Sequence, residues 1–247
     1  MKVEDVKPYA AAGDKSGQVR DMFDTIAPSY DFMNRAITLG MDRAWRQKAV
    51  NLLGPSARYP RVLDIATGTA DIPITLAATH STPEICGIDL SEGMLAIGRQ
   101  KVASARLPAG CTISLQQGDC LSLPYESESF DGVICAYGVR NFADIPAGLS
   151  EMQRVLRPGG RVVILELSTP SSPPVLPFYR LYTRCLIPIA GRLLSKDRRA
   201  YSYLPESIAA VPQGKAMTNL LVRAGFGEPR VESLCLGVCS IYTAQKP

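Results

Sequence analysis

The sequence predicts one α/β domain, residues 1–247, built on a mainly parallel sheet that ends in an antiparallel hairpin. From residue 61 onward, short apolar runs rich in β-formers alternate with segments of helical length. Strands that are apolar on both faces are typical of a parallel sheet covered by helices. Near the end, RVESLCLGVCSIYTAQ has the pattern of two strands joined by a tight turn at Gly237, which requires one antiparallel strand.

The elements can be assigned in order along the chain. Residues 1–55 are predicted to form an N-terminal helical cap, because apolar positions between residues 18 and 53 recur three or four apart. Ser91 and Asp144 stand where helix N-caps belong, before predicted helices at 92–102 and 145–156. Pro158 and the two glycines after it end the second helix, and residues 168–212 form a helical insertion, or lid, after strand five. The first five strands are RVLDIA, EICGIDL, TISLQQ, DGVICAY and RVVILEL.

Composition excludes several classes of protein. The net charge of +4 and the pI near 8.7 are too mild for a nucleic-acid binder without a basic stripe. Seven cysteines without a C-x-x-C pair indicate reduced thiols and no metal site. The N-terminus has no apolar signal region and no run of ~18 apolar residues occurs. We therefore expect a cytoplasmic protein that at most rests on a membrane surface.

A turn of small residues follows the first strand, in VLDIATGTADI. The dinucleotide fingerprint G-x-G-x-x-G would place glycines at positions 66, 68 and 71, but the sequence has Ala66, Gly68 and Asp71. A carboxylate at the start of the helix disfavours a pyrophosphate there. The turn at Gly68 is therefore predicted to bind a ligand without phosphates.

S-adenosylmethionine is such a ligand, because it carries a sulfonium and an ammonium that suit Asp64 and Asp71. Asp89 ends the second strand, where an acid can accept both ribose hydroxyls, and Asp119 follows the third strand, where it can accept from an adenine amino group. Together with the terminal hairpin, these acids predict a Rossmann-like, seven-stranded, class I S-adenosylmethionine-dependent methyltransferase. The simpler alternatives are that Asp71 only caps a helix and that Asp119 only forms an Asx-turn.

The chain contains four longer motifs: YDFMNRAITLGMDRAW, LDIATGTAD, GVRN and RVLRPGGRVVILELS. Together they make the chain similar to the ubiquinone/menaquinone biosynthesis C-methyltransferases. Two positions depart from the family pattern: Thr38 replaces a serine and Asp42 replaces a histidine. The resemblance implies methylation of a prenylated quinol, with demethylmenaquinol preferred over the benzoquinol of ubiquinone biosynthesis or another small molecule. It also implies contacts to S-adenosylmethionine from Thr69, Asp89, Asp119, Cys120 and Ala136, and places Arg140 and Asn141 beside the quinol.

The stretch CAYGVRN suggests how a ring carbon is activated. Arg140 leaves the carboxyl end of strand four, where it can stabilise the phenolate that makes the neighbouring carbon nucleophilic, while Asn141 orients the ring. The alternative is that Arg140 only forms a salt bridge to Asp144. Candidate proton acceptors are Tyr30, Asp31, Tyr137 and a water held by Arg140, although Tyr30 and Asp31 can also be read as a lid without chemistry. His80, the one histidine, is predicted to lie at the opposite edge of the sheet.

The predicted insertion is both basic and apolar. PFYRLYTRCLIPIAGRLLSKDRRAYSY contains six cations and one acid, and Pro188 is expected to break it into two short helices. Such a segment suits an anionic membrane surface and an apolar path for a prenyl tail; an ordinary lid or a homodimer surface is the alternative. Two other hypotheses are an RNA methyltransferase, disfavoured by the absence of stacking aromatics, and a cofactor-binding scaffold, disfavoured by the intact GVRN.

Overall fold

A seven-stranded mixed sheet forms the centre of the computed structural model, which describes residues 3–9, 13–55, 57–183 and 198–247. The strands are β1 (Arg61–Ile65), β2 (Glu84–Asp89), β3 (Thr112–Gln117), β4 (Phe130–Ala136), β5 (Leu156–Leu167), β6 (Gly227–Leu234) and β7 (Cys239–Gln245). They are ordered β3-β2-β1-β4-β5-β7-β6, with β1 to β5 parallel and β7 antiparallel to both of its neighbours. The predicted parallel sheet and terminal hairpin are confirmed.

Helices cover both faces of this sheet. They are α1 (Lys15–Ile26), α2 (Tyr30–Thr38), α3 (Met41–Leu53), α4 (Asp71–His80), α5 (Glu92–Ser104), α6 (Ile145–Val155), α7 (Leu176–Leu181), α8 (Arg198–Ala210) and α9 (Lys215–Arg223). One buried cluster joins α6 and α9 to the sheet, and a second joins α3 and α4 to its other face. The sequence assigned α3 to the N-terminal cap, but its apolar side chains, Trp45, Ala49, Val50 and Leu53, belong to the core of the main sheet.

The strands follow the burial pattern that their positions require. β1 and β4 are central and almost wholly buried, whereas in the edge strand β3 the exposed Thr112, Ser114 and Gln116 alternate with partly buried residues. Alternation of this kind is expected where only one face is covered. Edge and central strands can therefore be distinguished by their sequences.

The predicted helix caps are confirmed. Ser91 accepts a hydrogen bond from the backbone N–H of Met94 at 3.1 Å, and Asp144 accepts one from that of Ala147 at 2.9 Å. The helix before strand five ends at Val155, as the proline and glycines predicted, but β5 begins at once with Leu156. The turn residues lie within the strand, since Gly159 has a φ of +76° and its N–H donates to the carbonyl of Lys246.

The remaining cap helices, α1 and α2, lie over the carboxyl ends of the strands. Their buried residues, which include Met22, Ile26 and Met33, share a cluster with Met94 of α5 and Tyr203 of α8. This places part of the predicted insertion directly against the cap. A ligand at the carboxyl edge of the sheet would lie beneath these helices.

The predicted insertion is described in two parts, which contain α7 and α8. Pro188 and the basic residues Arg184, Arg192 and Lys196 lie outside the described residues, and so does most of the segment predicted to face a membrane. No helix in the described parts of the chain has the length and apolar character needed to cross a bilayer.

Candidate active site

Three residues in the left-handed region turn the chain from β1 into α4. Ala66, Gly68 and Ala70 have φ values of +56°, +55° and +65°, a region in which only glycine is free of steric cost. The turn is anchored to the end of β2, because the N–H of Gly68 donates to Oδ2 of Asp89 at 2.8 Å. This turn exposes backbone at the carboxyl edge of the sheet, as predicted.

A cleft opens between this turn, the ends of β2 to β4 and helix α1; we call it the glycine-turn cleft. Asp89 and Asp119 lie in its wall, and each carboxylate accepts one backbone N–H through Oδ1, from Ser91 and Leu121 respectively, at 2.9 Å. Asp119 therefore forms the Asx-turn that was the simpler alternative and also faces the cleft. Both acids keep oxygen lone pairs for ligand hydroxyl or amino groups. Other residues of the wall are Phe23, Gly68, Ile88, Leu90, Met94, Cys120, Ala136 and Phe142.

Asp64 is buried in a recess behind the turn. It is 1% exposed, and neither carboxylate oxygen has a hydrogen-bond partner among the described residues. Burial raises the pKa of Asp64 to about 8, although the nearby Thr67 side chain acts to lower it; the negative charge of Asp89 raises it further. The recess also contains Tyr30, Ala66 and Gly68. A ligand cation placed there would stabilise the ionised carboxylate, which the protein itself leaves unpaired.

Asp71, at the start of α4, is paired with two cations of the protein. Its Oδ2 lies 2.8 Å from Nη2 of Arg46, and its Oδ1 accepts from Nζ of Lys101. Its charge is thus compensated by two cations, neither of which was singled out from the sequence. Asp71 lines the recess near Asp64, and cofactor contact by Asp71 stays a prediction.

Asp31 is held by the same lysine. Oδ1 of Asp31 accepts from the hydroxyl of Thr69 at 2.7 Å, and Oδ2 accepts from Nζ of Lys101 at 3.0 Å. Burial raises the pKa of Asp31, but these two hydrogen bonds and the ammonium charge outweigh it, so the pKa lies below its usual value. Asp31 therefore fastens α2 to the glycine turn, and its lowered pKa makes the carboxylate a weak base.

The candidate catalytic pair follows β4 in a short 3-10 helix, Val139–Asn141. Arg140 is only 6% exposed, and its Nη1 lies 2.8 Å from Oε1 of Glu166 in β5. The backbone N–H of Arg140 donates to Oε2 of the same carboxylate at 3.1 Å. The alternative of a salt bridge to Asp144 is wrong, because Asp144 caps α6 and Glu166 takes its place.

Arg140 has a buried polar atom, Nε, without a hydrogen bond among the described residues. The residue also lines a second cavity, which we call the arginine pocket. This pocket is lined by Met22, Phe23, Ile26, Tyr30, Met33, Asn34, Ile37, Arg140, Asn141, Ala200, Tyr203 and Leu204. It meets the glycine-turn cleft at Phe23, Tyr30 and Asn141, which line both. A guanidinium with a spare N–H donor is therefore part of the wall of a mainly apolar chamber next to the cleft.

Asn141 and two tyrosines surround this junction. The hydroxyl of Tyr203 donates to Oδ1 of Asn141 at 3.2 Å, and Nδ2 of Asn141 lies 3.4 Å from the carbonyl oxygen of Tyr137. Burial raises the pKa of both Tyr30 and Tyr203 despite the positive charge of Arg140. Both phenols thus keep their protons at neutral pH and can donate hydrogen bonds.

Glu166 and Lys101 are the residues that sequence reasoning missed. Glu166 interrupts the apolar run of β5, and a buried acid in such a run is a signal that it has a cationic partner. Lys101 gave no comparable signal, because a lysine near the end of an amphipathic helix is ordinary.

His80 ends α4 away from the glycine turn, with Nε2 3.1 Å from the carbonyl oxygen of Val50, as expected. Burial raises the pKa of Cys120 well above its usual value, so its thiol stays neutral.

Comparison with known proteins decides the family. Residues 11–246 match the model of the ubiE/COQ5 methyltransferase family. The chain belongs to this family. Membership confirms the predicted methyltransferase activity, the family resemblance and S-adenosylmethionine as the cofactor.

Individual relatives of this methyltransferase cover nearly its full length. A demethylmenaquinone methyltransferase of Bacteroides fragilis is 46% identical over 243 residues, with 98% of each chain covered. A ubiquinone/menaquinone biosynthesis C-methyltransferase of Geotalea daltonii is 42% identical over 234 residues, covering 94% of this chain and 98% of its own. The solved structure of a possible histamine N-methyltransferase from Thermotoga maritima has a TM-score of 0.65 at 18% identity, covering 92% of this chain and 99% of its own. This last similarity confirms the class I methyltransferase fold.

The residues of the cleft fit S-adenosylmethionine. Its charged lining residues include Asp89 and Asp119, beside apolar walls, and the unpaired carboxylate of Asp64 lies behind the turn. Carboxylates favour a ligand with two cationic centres and unphosphorylated ribose hydroxyls. Asp89 would hold the ribose, Asp119 the adenine edge, and Asp64 would compensate the ammonium. These contacts stay predictions, as do those from Thr69, Cys120 and Ala136.

Proposed function

We propose that this methyltransferase transfers a methyl group from S-adenosylmethionine to a ring carbon of demethylmenaquinol, which gives menaquinol. The names of the Bacteroides and Geotalea relatives support a quinol of this class. The observation that carries the proposal is that Arg140 lines an apolar chamber next to the glycine-turn cleft and has a buried Nε without a hydrogen bond among the described residues. A hydroquinone ring would bring the acceptor oxygen that this donor lacks.

In the proposed mechanism, Arg140 activates the ring. When bound, S-adenosylmethionine supplies an electrophilic methyl group on a positively charged sulfur. The Nε–H of Arg140 donates to the ring oxygen next to the reacting carbon and favours its ionised form, which makes that carbon nucleophilic. Glu166 holds the guanidinium in place through Nη1 and the backbone N–H. The new C–C bond forms as the S–C bond breaks, and the ring carbon then loses its proton.

Water beside Arg140 is the proton acceptor that we propose. Asp31 has a lowered pKa and both of its oxygens are engaged, whereas Tyr30 and Tyr137 have raised pKa values and hold their own protons. Tyr30 instead donates toward the ring, and Asn141, fixed by Tyr203, aligns the second hydroxyl. Positioning of the two substrates in adjoining cavities supplies much of the remaining acceleration.

The decisive test is methyl transfer from labelled S-adenosylmethionine to chemically reduced quinols. The purified chain is incubated with a demethylnaphthoquinol or with a methoxybenzoquinol of equal tail length, and the labelled product is analysed for C-methylation. We expect higher kcat/KM for the naphthoquinol. A preference for the benzoquinol would indicate that the enzyme acts in ubiquinone biosynthesis. Absence of labelled product with both quinols would refute quinol methylation.

We also propose that the enzyme meets its substrate at an anionic membrane surface. The support is that the strongly exposed apolar side chains of Leu39, Phe178 and Leu181 line one cavity, and that the sequence from residue 180 to residue 199 is rich in arginine and lysine. Each cation close to anionic lipid contributes about 1 kcal/mol. Sedimentation with anionic vesicles at low salt, but not with neutral vesicles, is expected; equal recovery in the supernatant with both would contradict the proposal.

A further inference from the structure

Helix α1 forms part of the wall of the glycine-turn cleft and is fastened to the main domain at both of its ends. The residues that line the cleft are Ser16, Val19, Arg20 and Phe23. Toward the end of the helix, Oδ1 of Asp24 accepts from the hydroxyl of Ser91 at 2.5 Å and from the backbone N–H of Gly93 at 2.9 Å. These bonds tie α1 to the start of α5. The first residue of α1, Lys15, makes a different connection.

Lys15 is a charged side chain inside the protein. It is only 3% exposed, and its Nζ donates to the carbonyl oxygen of Val3 at 2.7 Å and to that of Arg140 at 3.2 Å. Lysine is almost never fully buried unless its ammonium has partners that offset the loss of hydration. One of these partners lies 12 residues before Lys15 and the other 125 residues after it. The ammonium therefore joins the N-terminal segment and α1 to the turn that carries the candidate catalytic pair.

The carbonyl oxygen of Arg140 lies where the hydrogen bonding of its short 3-10 helix ends. The backbone N–H of Phe142 donates to the carbonyl oxygen of Val139, one residue earlier. Phe142 itself is extended, with a ψ of 139°, so the chain leaves the helix before the next such bond can form. A buried carbonyl oxygen at a helix end needs a donor from elsewhere in the fold. Lys15 supplies that donor.

Arg140 is thus held by two different parts of the fold. Glu166 in β5 binds its Nη1 and its backbone N–H, whereas Lys15 in α1 binds its carbonyl oxygen. That carbonyl group belongs to the peptide unit between Arg140 and Asn141. Because a peptide unit is planar, a contact that fixes its oxygen also fixes the direction in which the chain enters Asn141. One ammonium therefore orients the backbone of both members of the catalytic pair.

We propose that Lys15 is a positioning residue for methyl transfer, which holds the peptide between Arg140 and Asn141 in the orientation that the reaction requires. The inference rests on the proposed function, because Lys15 acts through Arg140 and does not touch the reacting atoms. The titratable groups that act on the guanidinium of Arg140 include Glu166, Tyr30 and Tyr203. A change of Lys15 leaves all three in place, so its effect on the reaction reports the position of Arg140.

The test is single-turnover methyl transfer by Lys15→Met at saturating S-adenosylmethionine, measured across pH. Methionine has a long side chain like that of lysine but no hydrogen-bond donor. We expect the rate at neutral pH to fall by about tenfold, because small displacements of a positioning group slow reactions by this order. The rise of the rate with pH should move to higher pH, as in Arg140→Lys, because the ring hydroxyl loses the same hydrogen bond. Lys15→Arg, which keeps a cationic donor, should recover much of the rate and of the pH profile.

A double variant shows whether Lys15 acts through Arg140. If it does, Lys15→Met combined with Arg140→Lys should be at most about twofold slower than Arg140→Lys alone, since changes that remove one interaction do not add. Rate losses that multiply, or a lower rate with the wild-type pH profile, would mean that Lys15 only stabilises the fold and would overturn the proposal. If the methionine variant does not fold, Lys15→Gln, which keeps a shorter neutral donor, takes its place. A wild-type pH profile in Lys15→Gln would then overturn the proposal.

Asp24→Ala separates the positioning of Arg140 from a general loosening of α1. This change frees the other end of the helix, so it should weaken the calorimetric affinity for S-adenosylmethionine while the pH profile at saturating cofactor stays that of the wild type. A shifted profile in Asp24→Ala would show that any loosening of α1 displaces the arginine, and would refute a specific role of Lys15.

The matched control is Lys7→Met. Lys7 also donates to a backbone carbonyl oxygen, that of Gly13 at 2.8 Å, but it does so at the surface. This variant should keep the wild-type rate and pH profile. Absence of methylation by the wild type with every quinol would refute the proposed function itself. Normal methylation by the wild type, together with a wild-type rate and pH profile in Lys15→Met, would refute only the role of Lys15.

Discussion

Replacing Arg140 by lysine should slow methyl transfer while leaving the fold and cofactor binding intact. Lysine keeps a positive charge near Glu166, so the variant avoids the cost of ~3–5 kcal/mol for a buried carboxylate without a partner. It has no counterpart of Nε, the buried donor without a hydrogen bond among the described residues. Activation of the ring oxygen is the property that the change removes.

The size of the effect follows from the pKa of the ring hydroxyl. Because lysine keeps the positive charge, the change removes the Nε–H hydrogen bond to the ring oxygen, and hydrogen bonds to a charged group contribute ~1.5–3 kcal/mol. One pKa unit corresponds to about 1.4 kcal/mol, so the pKa of the ring hydroxyl should rise by about one to two units in the variant. Loss of the contact should therefore reduce the rate at neutral pH by roughly 10- to 100-fold.

The assay is single-turnover methyl transfer measured across pH, with the affinity for S-adenosylmethionine measured separately by calorimetry. A hydrogen bond to the phenolate lowers the pKa of the ring hydroxyl, so the rise of the wild-type rate with pH should occur about one to two units below that of the variant. Arg157→Lys, which alters a surface pair with Asp131, is the matched control. Wild-type rates with an unshifted pH profile in Arg140→Lys would refute the proposed role.

Three further changes test the rest of the site. Asp89→Ala should weaken binding of S-adenosylmethionine by roughly 10- to 100-fold, because hydrogen bonds to a carboxylate contribute ~1.5–3 kcal/mol; unchanged calorimetric affinity would exclude a ribose contact. Lys101→Met should lower the free energy of unfolding by about 1–2 kcal/mol at neutral pH. The pKa of Asp31 is lowered in the folded protein. Its ion pair with Lys101 therefore contributes fully to the free energy of unfolding above the unfolded pKa of ~4, and this contribution is lost as the pH falls through the folded pKa. Urea titrations should thus give the variant and the wild type the same free energy of unfolding in acid. Asp64 has a folded pKa raised to about 8, so wild-type stability should fall as pH rises from ~4 toward that value. Without cofactor, the Tm of Asp64→Asn minus the Tm of the wild type should thus increase as the pH rises through this range. A Tm difference that does not change with pH would contradict the raised pKa.

Much of the fold could be predicted because it depends on local patterns. Continuous apolar runs identified the central strands, Ser91 and Asp144 marked helix starts, and the final two runs identified the antiparallel hairpin. The same apolar spacing led us to place α3 in the N-terminal cap. Apolar spacing shows that a helix has a buried face, but it does not show which part of the protein covers that face. Trp45 and its neighbours on α3 share one buried cluster with Val62, Ile134 and Val163 of the sheet.

The candidate site could likewise be predicted from the sequence only in part. The sequence alone placed Asp89, Asp119 and Arg140 at the carboxyl edge, because the ends of parallel strands meet there whatever the side chains are. Only the tertiary structure decided that Asp71 is compensated by Arg46 and Lys101 and that Glu166 rather than Asp144 holds Arg140. It also decided that Arg140 lines a cavity that shares wall residues with the cleft. Ion pairs and cavities arise between segments that are distant in sequence, so their partners are set by how helices and strands pack and not by the spacing of residues along the chain.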